Sequence, residues 1–427
     1  MPKTPSVPSA APALLAGQEF APVVLGGDRL GYSLARSFDL GYGYRTLVVS
    51  TMLGGPVAHS SLIEHHIVPS LQDPEGLVAE LRELATRIGP EKKLLLATTD
   101  HVVSVLARIK HRLEDLYVIP YAEPELIDRL SRKEHFADLC AELDIPHPQT
   151  VVYDVGARPD LSEAMAALTF PVIAKPSNAE AYAAVTFPGK KKVHSAADAA
   201  ELERLIDALH GAGYRDKFIL QDVIPGDDQG MRLLTCYVDR QGQVKFAAYG
   251  RVLLEEHSPE TLGIPAAILT GTDHEAVAHA TRLLEHVGWR GYANFDMKYD
   301  PRTGKTVFFE LNPRLGGTSF YITAAGFNTV QLYVDEWVRG EDLSERPMVE
   351  ASHEHVFTAI PLRLLQRYVT DPAVRPAFDR AVKSGEVTNP WFYKAERHPR
   401  RWAWIAANQA NYVRKYREHY PEPKALV

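Results

Sequence analysis

One stretch constrains the fold of this chain more than any other: the run GYANFDMKYD, a short turn at 302–305, and TVFFELNPRLGGT, within residues 291–318. Apolar and polar residues alternate on both sides of the turn, which predicts two half-buried β-strands joined as a hairpin. In the first strand Ala293, Phe295, Met297 and Tyr299 point one way, and Asn294, Asp296 and Lys298 the other. In the second, Val307, Phe309 and Leu311 share one face, and Phe308, Glu310 and Asn312 the opposite one. The apolar set then packs on a core while Asp296, Glu310 and Asn312 converge on the far side. Two carboxylates and an amide oxygen, with no His or Cys nearby, are a hard-oxygen set suited to Mg²⁺ held jointly with phosphate oxygens. Taken alone, such a pattern is more often an ordinary hairpin with a solvated polar face. Arg314, which follows at once, and the Gly316-Gly317 pair, which leaves room for a close ligand, argue for a site.

At 427 residues the chain is long enough for two or three packed subdomains. Its apolar share of 45% and charged share of 24% are a globular balance. A net charge of −7 argues against nucleic acid as the main partner. With only Cys140 and Cys236 there is no disulfide framework and no Cys-based zinc site. No apolar run reaches the ~20 residues of a membrane span. Residues 1–20, rich in Pro and Ala, read as a loose tail rather than a secretion signal, so a cytoplasmic protein is expected.

Residues 21–125 alternate strands and helices: a buried strand at 21–27, a helix through Tyr32 and Phe38, a strand at 45–50, a helix at 77–88 and a strand at 93–98. That order implies a parallel, doubly wound α/β layer. Gly26, Gly27 and Gly31 lack the spacing of a dinucleotide fingerprint, so NAD is not expected. Asp28 and the run Thr98-Thr99-Asp100-His101 fall at carboxyl ends of strands, where ligands bind in such sheets. Asp28 and Asp100 are candidates for recognising an amine or amino acid, or they cap helices.

Residues 126–143 carry a helical stripe, with Ser131 and Glu134 as a capping box. That places Lys133 in the first turn, where the helix dipole favours a phosphate; a solvated lysine fits equally. FPVIAK at 170–175 is a buried strand ending in Lys175, and the loop 177–192 ends in Gly189 and three lysines, Lys190, Lys191 and Lys192. FILQDVIPG at 218–226 is a strand closed by a Pro-Gly turn. Strands 233–238 and 244–250 form a hairpin around 239–242, followed by Arg251. From about residue 350 aromatic residues alternate with Arg and Lys, and read as a small helical cap packed by aromatics.

E-x-N-P-R-x-G-G after an Asp-bearing strand resembles the magnesium strands of the ATP-grasp carboxylate–amine ligases, and the motifs upstream follow that family's order. The 177–192 loop lacks the glycine- and serine-rich flap of many members and is similar to the D-aspartate ligase branch. The resemblance implies an ATP-grasp fold of mixed α/β and α+β character. Its parts would be a tail at 1–20, a pre-ATP-grasp domain at 21–125, an ATP-grasp domain at 126–350 with nucleotide between two lobes, and a helical segment at 351–427. It implies ATP and Mg²⁺ (or Mn²⁺) as cofactors, with Asp296, Glu310 and Asn312 on the metal and Lys133 and Lys175 on phosphates. Gln221, Asp222, Val223 and Ile224 would meet the adenine, Asp228 the ribose, and Arg251 and Arg314 the transition-state charge. The implied partners are an amino-acid carboxylate, D-aspartate first, and an amine-bearing acceptor such as a UDP-linked muropeptide of peptidoglycan. A homodimer is within expectation, nucleic acid is not. An amino-acid, dipeptide or natural-product ligase is the alternative, and a non-catalytic ATP-binding regulator a second one.

Overall fold

The computed structural model of the chain describes residues 13–177, 179–191 and 193–423. Asn178 and Lys192, both in the 177–192 loop, and residues 1–12 of the expected tail lie outside them. Residues 13–20 do not behave as a tail: Leu14 bridges to Ile88, Leu15 is buried, and Phe20 opens the first strand.

Three sheets organise the described residues. The first is wholly parallel, in the order Ile63–Ile67, Thr46–Ser50, Phe20–Leu25, Lys92–Ala97. Its central strands are apolar throughout because both faces are covered. The edge strand IEHHI was missed from sequence, since only its terminal isoleucines are apolar and an edge strand need not be buried.

A second, antiparallel sheet runs Thr150–Asp154, Lys217–Asp222, Val172–Pro176, His194–Ala196, and encloses its own core around Tyr182, Tyr214 and Phe218. Ahead of it the expected single helix is two, Pro124–Leu130 and Lys133–Glu142. The capping box does not form: Arg132 is the N-cap, with no side-chain hydrogen bond, and Ser131 ends the preceding helix. Lys133 nevertheless opens a helix, as expected.

The third sheet has eight strands. Its main path runs Lys305–Asn312, Gly291–Asp300, Met231–Val238, Val244–Glu255, Pro265–Gly271, Val356–Thr358, Val387–Thr388. Val349–Ala351 adds in parallel to Val244–Glu255. The C-terminal segment is thus helical in the main, ending in the long helix Pro399–His419, but it also extends the large sheet. Arg29 near the N-terminus ties that helix down through Tyr412 and Glu256.

The hairpin of residues 291–312 forms in antiparallel register, with Asn294 opposite Asn312 and Asp296 opposite Glu310. Strict alternation fails at one place. The register shifts between Asp296 and Met297, so that Met297 faces Phe308 and Phe309 is the extra residue of a β-bulge. Phe308 therefore joins Phe295, Met297 and Leu311 in the core, fully buried, while Phe309 turns out of it. This reverses the expected faces of Phe308 and Phe309. The expected outcome is that Phe308→Ala costs about 3–5 kcal/mol of stability in urea unfolding and Phe309→Ala about 1 kcal/mol or less; equal costs would contradict the bulge.

Candidate active site

The bulged hairpin carries its polar face into a cavity of about 500 Å³. Asp296, Glu310, Asn312, Arg314, Gly316 and Gly317 line it from the hairpin, Met231, Leu233 and Val252 from the neighbouring strands, and Asp28, Thr98 and Thr99 from the parallel sheet. Seven sequence candidates thus share one space.

Inside it, Asn312 Nδ2 donates to Asp296 Oδ2 at 3.0 Å. Burial, with the Glu310 charge beside it, pushes the Asp296 carboxyl up to about 7. Lys133 Nζ reaches Glu310 Oε1 at 2.9 Å from the start of its helix. Lys175 donates to Gln221 Oε1 at 3.2 Å, and Gln221 donates on to Thr150. Burial, assisted by the nearby Lys133 charge and opposed by Glu310, pulls the Lys175 ammonium down to about 8. Two lysines and two acids are thus held in one partly desolvated group, where charges interact strongly.

Arg314 binds Asp100 Oδ2 at 2.7 Å and so ties the hairpin to the parallel sheet. Arg314 Nε, Asp100 Oδ1 and Thr98 Oγ1 are buried without a protein partner. Asp28 caps the helix Arg29–Tyr42 through the Gly31 N–H, as one of its two sequence readings expects, and also lines the cavity.

Other candidates stand elsewhere. Arg251 does not line the cavity: it binds Asp371 Oδ2 at 2.5 Å and the Gln229 carbonyl. Its neighbour Val252 faces the cavity instead, because successive strand residues point to opposite sides. Asp228 is buried and already accepts from the Glu255 N–H at 2.9 Å, with His257 at 2.8 Å from the same oxygen. Asp222 accepts from the Thr169 N–H, and with Ile224 lines a different cavity, beside His147 and Arg302. The Val223 N–H is taken by the Pro171 carbonyl. In the 177–192 loop, Lys190 folds back onto Val185 O and lies over the Tyr182 ring.

Sequence reasoning missed Asn294, Glu255 and Phe309 as lining residues. Asn294 had a signal, its place on the Asp296 side of the strand, and the cavity brings Gly316 so near it that a Cβ there would stand 3.0 Å from Asn294 Oδ1. Glu255 had none, since irregular pairing between Val252 and Glu255 breaks the alternation that would have aimed it. Burial, with the Asp228 charge, lifts its carboxyl to about 8, and Lys298 opposes this.

This architecture, with Lys175 on the small antiparallel sheet and Lys133 on the helix ahead of it beside a carboxylate hairpin on the large sheet, is the ATP-grasp fold. It aligns with the D-aspartate ligase of Enterococcus faecium (strain Aus0004) at 28% identity over 415 residues, 94% of this chain and 97% of that one. Among solved structures, an ADP complex of N5-carboxyaminoimidazole ribonucleotide synthetase superposes with a TM-score of 0.57 at 16% identity, covering 96% of this chain and all (100%) of that one. The L-amino acid ligase from Bacillus licheniformis gives 0.54 at 15% identity, covering 77% of each. No protein-family model matches the chain. Among the described residues no helix is long and apolar enough to cross a membrane.

The buried ammonium of Lys175 has a stability consequence. Its ordinary value is 10.5 and its folded value about 8, so between those limits the unfolded chain binds more protons than the folded one. Stability must rise with pH across that window. Below it the charged lysine costs up to about 3 kcal/mol. Lys175→Met is expected to be more stable than the parent at pH 7, with the advantage vanishing near pH 10.5; urea unfolding at several pH values measures this, and a pH-independent difference would refute the buried charge.

Proposed function

We propose that the chain is an ATP-dependent carboxylate–amine ligase that adds D-aspartate to an amine of a peptidoglycan precursor peptide. The observation that carries the reading is the convergence of Asp296, Glu310, Asn312 and Arg314 on one cavity. Full-length similarity to a D-aspartate ligase supports the choice of substrate.

The donor set fits Mg²⁺: two carboxylates and an amide, of which Asp296 resists ionising until a cation offsets its neighbour. Asp296, Glu310 and Asn312 would hold the ion, which supplies charge neutralisation on the phosphates. Lys133 and Lys175 bind phosphate oxygens, exchanging their contacts with Glu310 and Gln221. Met231, Leu233 and Phe309 offer an apolar wall for a purine. Arg314, anchored by Asp100, orients the substrate carboxylate and meets charge developing on the transferred phosphoryl group.

The reaction proceeds in two steps. A carboxylate oxygen of D-aspartate attacks the γ-phosphorus of ATP, the bond to ADP breaks, and an acyl phosphate forms. The acceptor amine then attacks the acyl carbon, phosphate leaves, and an amide remains once the amine has shed its proton. Neither step needs a covalent enzyme residue, only positioning and charge. Arg251 and Asp228 have no part in this scheme, because Asp371 and the Glu255–His257 pair occupy them.

Phosphate release from ATP and Mg²⁺ is expected to require both D-aspartate and an amine-bearing stem peptide, with a product heavier by one aspartyl residue. L-aspartate supporting equal turnover would move the activity to another amino-acid ligase, and no release with any pairing would favour a regulator. Asn312→Ala is expected to keep ATP affinity within about tenfold while turnover collapses, whereas Arg251→Ala keeps turnover within a few-fold.

A further inference from the structure

Remote from this cavity, at the edge of the large sheet, three side chains converge that the ligase reading does not use. His353 and His355 stand two residues apart just ahead of the strand Val356–Thr358, and both rings meet the Glu386 carboxylate. Glu386 follows Gly385, which closes the helix Arg375–Ser384 in the left-handed conformation at φ 81°. His353 Nε2 lies 3.0 Å and His355 Nδ1 3.1 Å from the same carboxylate oxygen, Glu386 Oε2. The three atoms lie within 4.8 Å of one another, and this is the one such His/Cys/Asp/Glu group found among the described residues.

We propose that His353, His355 and Glu386 form a binding site for a divalent transition-metal ion of the zinc type, separate from the oxygen site of the cavity.

Four observations carry this. First, the ligand atoms are placed by backbone that needs no metal. Thr270 accepts from the His355 N–H at 2.7 Å and donates to the His353 carbonyl at 2.5 Å, while the Val356 N–H binds the Glu386 carbonyl at 2.9 Å. Second, His355 Nε2 is paired with Thr388 Oγ1 at 2.9 Å, the outer contact that orients a metal-bound imidazole and leaves the other nitrogen facing the ion. Third, the spacing suits a small ion. Bonds of about 2.0–2.1 Å in a tetrahedron separate ligand atoms by roughly 3.4 Å, and the observed 3.0 and 3.1 Å need only a small spreading. Both exposed partners, His353 at 56% and Glu386 at 41%, are free to give that much, while His355 at 6% stays as the fixed post. Fourth, two imidazoles and one carboxylate select Zn²⁺, Ni²⁺ or Cu²⁺ over Mg²⁺, which prefers oxygen alone.

With three protein ligands the fourth position is open to solvent, so the ion is exchangeable. It would fasten the strands Val356–Thr358 and Val387–Thr388, which already pair in parallel, and so hold the C-terminal segment on the sheet.

The test uses the tag-free full chain, stripped with EDTA, freed of chelator and kept in excess Mg²⁺ to cover the oxygen site. Titration with Zn²⁺ is expected to show one equivalent bound at micromolar affinity or tighter, with a rise in Tm. His353→Ala and Glu386→Gln, both at exposed positions, are expected to weaken binding at least about tenfold and abolish the rise. Asp296→Asn should leave it unchanged. Co²⁺ should give visible tetrahedral d–d absorption that His353→Ala loses. Equal Zn²⁺ affinity in the parent and His353→Ala, dependence on Asp296, or no stoichiometric binding would overturn the proposal, the last meaning that the two rings simply share Glu386 by hydrogen bonds.

Discussion

Antiparallel pairing between Gly291–Asp300 and Lys305–Asn312 is the interaction on which the site depends. It sets Asp296 directly opposite Glu310, and Asn294 opposite Asn312, within side-chain reach across the ladder. Two facing carboxylates repel, and burial raises the cost of ionising Asp296. The strands hold because the other face of the hairpin is a dense apolar contact of Phe295, Met297, Phe308 and Leu311. One extra residue, Phe309, makes both faces work at once. Without the bulge either Phe308 or Glu310 would stand on the wrong side.

Around that hairpin the three sheets meet through charges rather than through apolar seams alone. Arg314 reaches Asp100 at the start of the helix that follows the parallel sheet's edge strand, and Lys133 reaches Glu310 from the helix that leads toward the small sheet. Lys175 rests on Gln221 within the small sheet, close enough to Lys133 to feel its charge. Arg314 and Asp100 each keep a buried polar atom without a protein partner, and the Lys175 ammonium is pulled down by burial. Under the proposed function, phosphate oxygens would satisfy the lysines and relieve the like-charge pair. The same arrangement destabilises the empty protein, the usual relation between a preorganised site and its scaffold.

Much of this was legible in the chain. The hairpin, the parallel sheet, Lys133 at a helix start, and the grouping of Asp296, Glu310, Asn312 and Arg314 all follow from local periodicity and motif order. Phe308 was assigned to a face by counting in twos, and the bulge changes the count. Arg251 was placed by its resemblance to a family position, and the fold sets it on Asp371 instead of in the cavity. Asp228 and Asp222 were assigned by order along the chain, whereas their partners Glu255, His257 and Thr169 lie up to 53 residues away. The edge strand IEHHI carried too little apolar signal to be seen.

What the sequence by itself determined is therefore what repeats within a few residues: strand and helix periods, the oxygen-donor set, and the placing of lysines at element ends. Periodicity is a property of the backbone, and it survives in the linear text. Which charges are buried together, which atoms are already satisfied, and which side of a strand faces a ligand were decided only by the tertiary structure. Those depend on register and on desolvation by residues far away in the chain. The pairing of Arg314 with Asp100, 214 residues apart, is set by how two sheets dock. So is the meeting of His353 and His355 with Glu386, which no spacing in the sequence announces.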